Sequence, residues 1–160
     1  MRIAVVGGTG YVGLTTAVGL AARGHIVFCA GRDKKKVENI QMGFPVIYEE
    51  GLEKMLKDVL MRRKLIPTTD LRSAVQSSEV SFLCVGTPSR EDGSIDLAHI
   101  ENVTEDVGQA LSGRSDYHIV VVKSTVVPGT TEEVVIPILE KSSRKKAGVD
   151  FGVCMNPEFL

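Results

Sequence analysis

The seven residues Gly7-Gly8-Thr9-Gly10-Tyr11-Val12-Gly13 carry the clearest chemistry in this chain, with glycines at 8, 10 and 13 in the G-x-G-x-x-G spacing. In that spacing Gly8 allows a sharp turn out of a strand, Gly10 lets backbone amides approach a pyrophosphate, and Gly13 lets the following helix pack closely. The phosphates then lie at the positive end of the helix. Further on, a second apolar run ends in Gly31-Arg32-Asp33. A carboxylate about 20 residues past the glycines receives the adenosine ribose hydroxyls and marks NAD. A glycine there removes the repulsion that an acid exerts on a 2'-phosphate, and the next arginine makes charge-assisted, forked bonds to phosphate. The cofactor is therefore NAD or NADP, with Gly31-Arg32 tilting the choice to NADP. Two later apolar runs stop in hydroxyls, at Gly86-Thr87-Pro88 and at Lys123-Ser124-Thr125.

The elements that must position these groups alternate regularly. Ile3 to Val6 reads as a strand and Leu14 to Ala22 as its helix, closed by Gly24. Ile26 to Ala30 is a second strand, and Asp33 caps a helix to about Met42. After a connector interrupted by Pro45, an amphipathic helix runs from Leu52 to about Lys64, followed by a short strand at Ile66 to Thr69 and a helix begun by Asp70. Glu79 to Val85 and His118 to Val122 are near-continuous apolar strands of the kind covered on both faces. Asp96 caps the helix between them, Thr130 or Thr131 caps the next through about Ser142, and Phe151 to Met155 is the final strand. This alternation predicts an α/β domain over residues 1–160: a doubly wound parallel sheet of the Rossmann type, strand order 3-2-1-4-5-6. The hydroxyl-bearing loops then share one edge with the glycine turn.

Composition bounds the partners. With 43% hydrophobic and 24% charged residues and a net charge of -1, the 160-residue chain reads as a globular domain. That charge gives no case for nucleic acid or a membrane surface. No apolar run approaches the roughly 18 residues of a membrane span, and there is no signal-peptide pattern, so a cytoplasmic location is expected. Cys29, Cys84 and Cys154 have no metal-like spacing and are expected to be buried thiols; no metal site is expected.

Five stretches in register carry a family resemblance: Gly8 to Gly13, Tyr48-Glu49-Glu50-Gly51-Leu52, Val85 to Pro88, Lys123-Ser124-Thr125 with Pro128-Gly129-Thr130-Thr131, and Asn156-Pro157-Glu158-Phe159-Leu160. Together they resemble the UDP-glucose/GDP-mannose dehydrogenase family over the whole chain, most nearly its UDP-glucose branch. The resemblance implies oxidation of UDP-glucose to UDP-glucuronate by two hydride transfers, in a homodimer. It places Tyr11 and Val12 beside the pyrophosphate turn, Lys36 at the adenosine ribose and Thr87 near the cofactor. It gives Thr125 cofactor contact and the positioning of water or the reacting oxygen, and Glu158 substrate contact and proton transfer. A hydroxyl and a carboxylate suit those roles. It also implies a central helix, a substrate domain and a nucleophilic cysteine that this chain does not contain, so the chain alone is expected to bind a dinucleotide without turning over the sugar. Two departures stand out: Gly31 replaces the family's aspartate, and Glu50 replaces a proline.

Two other readings are compatible with the glycine turn. An atypical short-chain dehydrogenase/reductase would need a Tyr-x-x-x-Lys pair, but Tyr11, Tyr48 and Tyr117 are followed four residues on by Thr15, Leu52 and Val121. A nucleotide-sensing regulatory domain would need the turn but not the later loops.

Overall fold

The alternation of apolar runs becomes a sheet because the central strands are too apolar to leave either face in water. The computed structural model describes residues 1–158; Phe159 and Leu160, the end of the Asn-Pro-Glu-Phe-Leu stretch, lie outside that range. The strands are β1 (Arg2–Val6), β2 (Ile26–Ala30), β3 (Leu65–Thr68), β4 (Val80–Leu83), β5 (His118–Val122) and β6 (Phe151–Met155). All neighbours pair in parallel, in the order β3-β2-β1-β4-β5-β6. The helices are α1 (Tyr11–Ala22), α2 (Lys34–Gln41), α3 (Leu52–Met61), α4 (Leu71–Gln76), α5 (Ala98–Leu111) and α6 (Ile136–Ser143).

Period-two alternation along β1 divides the core in two. Ile3 and Val5 pack with Leu14 and Val18 of α1 and Leu56 of α3, whereas Ala4 and Val6 pack with Val103 and Val107 of α5 and Leu139 of α6. The chain winds outward in one direction from β1 to β3 and in the other from β4 to β6. A crevice therefore opens between β1 and β4 at the carboxyl edge.

Side chains mark the helix starts. Asp33 accepts from the Lys36 amide at 3.1 Å, Asp70 from Ser73 at 2.9 Å and Asp96 from Ala98 at 2.9 Å. The helix after β5 differs from expectation: no threonine side chain caps it, and it is entered through a π-helical turn at Thr131–Val135. Cys154 is a second correction. Cys29 and Cys84 are buried, but Cys154 is exposed, because β6 is the outer strand and no described helix covers that face at Cys154.

His118 is buried at the start of β5, with Nδ1 3.1 Å from the Ser78 carbonyl and Nε2 2.9 Å from Ser81 Oγ. Burial, seconded by the charge of Arg114, lowers its pKa to about 4. Between its ordinary value and about 4 the unfolded chain binds the extra proton, so stability conferred by the neutral ring is present above about 6.5 and lost as pH falls. Melting temperature should therefore drop between about pH 6.5 and 5, before most carboxylates titrate, and His118→Gln should flatten that limb when melting is followed against pH.

Candidate functional site

The turn after β1 is set by backbone contact. Gly7 takes a left-handed φ of +83°, and a Cβ there would lie 2.4 Å from the Cys84 carbonyl oxygen. Gly13 presses still closer, since a Cβ on it would meet the Gly7 carbonyl oxygen at 2.2 Å. The sharp turn assigned from sequence to Gly8 thus belongs to Gly7. Gly8 is buried against the Cys29 thiol, which donates to the Gly8 carbonyl at 3.0 Å. The Gly7 and Gly8 amides both reach the Ala30 carbonyl, at 3.1 and 2.8 Å, which locks the turn to the end of β2.

Gly10 precedes α1 with no side-chain cap, and the first turn of α1 holds no acid. The amide end of α1 is therefore left to an external anion. Beside it lies a cleft of about 560 Å³ running from the glycine turn past the ends of β2 and β4 to α5. That volume suits a small-molecule ligand. A Cβ-free cradle, an uncapped helix start and a crevice at the strand ends fit the pyrophosphate and adenosine of a dinucleotide. Among the described residues no group of three or more His, Cys, Asp or Glu could hold a metal ion. No described helix is long and apolar enough to cross a membrane.

The candidates fall into two groups. Gly10, Arg32 and Lys36 line the cleft. Arg32 is not a free cation, because its guanidinium lies 3.0 Å from Asp106 Oδ2 on α5, a partner invisible in local sequence. Thr87, Thr125 and Glu158 form the second group, at the ends of β4, β5 and β6. The Thr87 hydroxyl donates to the Thr125 carbonyl at 2.6 Å, and the Thr125 hydroxyl donates to the Glu158 carbonyl at 2.8 Å. Ser124 adds a further stitch, donating to the Val85 carbonyl at 2.7 Å.

Tyr11 stands outside both groups, with its hydroxyl donating to Glu49; that hydrogen bond and the negative charge raise the phenol pKa. Val12 is half-buried against the core under α1. Lys123 was not among the sequence candidates, although it opens the Lys-Ser-Thr motif. Its Nζ reaches Glu158 Oε2 at 2.8 Å and Asn156 Oδ1 at 3.1 Å. Burial pushes the Cys29 and Cys84 thiols up to about 12, so both stay protonated at neutral pH and serve packing.

The family model for the UDP-glucose/GDP-mannose dehydrogenase family, NAD binding domain, matches residues 1–160. The chain belongs to that family. GDP-mannose 6-dehydrogenase of Pseudomonas aeruginosa is 49% identical over 160 residues, covering 100% of this chain and 36% of the relative. UDP-glucose 6-dehydrogenase of the same organism is 42% identical, covering 100% of this chain and 34% of the relative. A crystal structure of GDP-mannose dehydrogenase from Pseudomonas aeruginosa in a ternary complex superposes with a TM-score of 0.97 at 49% identity, covering 100% of this chain and 36% of that one. The chain thus spans about a third of the length of these dehydrogenases. Family membership displaces the short-chain alternative and carries a nicotinamide dinucleotide as the ligand of the domain.

Two substitutions test this architecture. Gly13→Ala should cost about 2–3 kcal/mol by overpacking and weaken dinucleotide binding with it, seen in denaturation curves and titration calorimetry. Lys123→Met leaves the Glu158 carboxylate without its cation and should cost about 1–3 kcal/mol in urea unfolding.

Proposed function

We propose that this chain is the N-terminal cofactor domain of a nucleotide-sugar 6-dehydrogenase, taking NAD or NADP as hydride acceptor. The observation that carries the reading is the hydrogen-bonded run Thr87, Thr125, Glu158 and Lys123, set at the carboxyl edge beside the glycine cradle. The stronger likeness to GDP-mannose dehydrogenases supports GDP-mannose ahead of UDP-glucose as the sugar.

Oxidation of the C6 alcohol to the aldehyde removes one hydride and one proton; the second oxidation adds water to the aldehyde and removes one hydride and two protons to leave a carboxylate. When bound, the dinucleotide supplies the acceptor for both hydrides. The chain's own groups orient and move protons. The Thr125 hydroxyl spends its proton on the Glu158 carbonyl, which leaves its lone pairs to accept from a substrate hydroxyl or a water. Glu158 is half-buried and its carboxylate is held by Lys123, an anion placed to accept a proton and return it. The buried thiols take no part.

In a version extended to the length of its relatives, GDP-mannose should drive reduction of two dinucleotides per sugar. UDP-glucose, offered in parallel, should be turned over more slowly. Thr125→Val and Glu158→Gln should each lower turnover about a hundredfold while dinucleotide affinity in calorimetry stays within about threefold. Dinucleotide binding without oxidation of either sugar would favour a sensing domain instead.

A further inference from the structure

We propose that Thr9 and Arg32 jointly select a dinucleotide carrying a 2'-phosphate. Thr9 occupies the volume in which an acid at position 31 would stand, and Arg32 offers its guanidinium to the phosphate. The inference rests on the dinucleotide reading above.

Gly31 does not have a left-handed backbone, so conformation is not what calls for glycine at the end of β2. Space is. A Cβ at position 31 would lie 2.3 Å from Thr9 Cγ2, 2.8 Å from Thr9 Oγ1 and 3.1 Å from Thr9 Cβ. Rotating the threonine moves its methyl and hydroxyl but leaves its Cβ 3.1 Å away, so a side chain at position 31 needs both a new threonine rotamer and a backbone shift of a few tenths of an ångström. The threonine inside the glycine turn therefore crowds the place of the group that would receive the ribose hydroxyls and repel a phosphate.

The charges facing the same end of the cleft are Arg32, Lys36 and Asp106. The nearby Asp33 carboxylate is turned away, accepting from the Lys36 amide at 3.1 Å as the cap of α2. Asp106 is taken by Arg32, and both side chains are largely exposed, 69% and 45%. An exposed pair of this kind is weak. It holds the guanidinium over the cleft and yields it to a phosphate, which offers more charge and two oxygens to the planar fork. Among the described residues the Lys36 ammonium has no carboxylate partner and supplies a second cation.

Calorimetric titration of the 160-residue chain with NAD, NADP, ADP and adenosine 2',5'-bisphosphate tests this. NADP should bind about tenfold or more tightly than NAD, and the bisphosphate more tightly than ADP, since one charge-assisted contact is worth about that factor. Arg32→Ala should remove most of the NADP advantage and change NAD affinity less than about threefold. Asp106→Asn should keep or increase the NADP preference. The double substitution Thr9→Gly with Gly31→Asp should reverse it, whereas Gly31→Asp alone should lower the melting temperature through the clash. Tighter binding of NAD by the unaltered chain, or equal losses for both dinucleotides in Arg32→Ala, would overturn the assignment. Binding of neither dinucleotide would instead overturn the dinucleotide reading on which it stands.

Discussion

The structure depends on one approach of backbone to backbone, that of Gly13 in the first turn of α1 against the carbonyl of Gly7. Any side chain at 13 would push α1 off β1 and move the uncapped amide end of the helix away from the turn. The position of that amide end is what makes the crevice between β1 and β4 a place for an anion rather than a gap between loops. The core on that face follows from the same contact, because Leu14 and Val18 reach Ile3 and Val5 only while the helix lies this close.

Across the sheet, the loops after β4, β5 and β6 are joined to one another by hydroxyls, while Val85 and Val126 pack on the core. Thr87, Ser124 and Thr125 each give a proton to a carbonyl in another loop. Loops so joined sit at fixed positions relative to one another while remaining polar. Lys123 extends the same logic to charge, since it emerges from beneath the loops, with only 14% of its side chain exposed, to hold Glu158.

Much of this was legible in the sequence, because period-two apolar runs and their capping aspartates are local signals. Strand order followed from the alternation of elements, and Asp33, Asp70 and Asp96 stand where their spacing predicts. What was hidden depends on distance along the chain. Spacing could not tell that Gly7 rather than Gly8 bears the left-handed turn, because the carbonyl that forbids a side chain belongs to Cys84. Arg32 looked free because its partner, Asp106, is 74 residues away. Cys154 looked buried because its neighbours are apolar, and only the sheet order shows that β6 is an edge strand. The π-helical entry to α6 leaves no mark in composition.

The fit of Thr9 against Gly31 also bears on how such a domain can change over generations. Exchange of the threonine for a smaller residue opens a little space and costs little fold, after which an acid can enter at position 31. The reverse sequence meets crowding in its first step. The two positions are therefore coupled, and the easier order is the one in which the residue inside the glycine turn changes first.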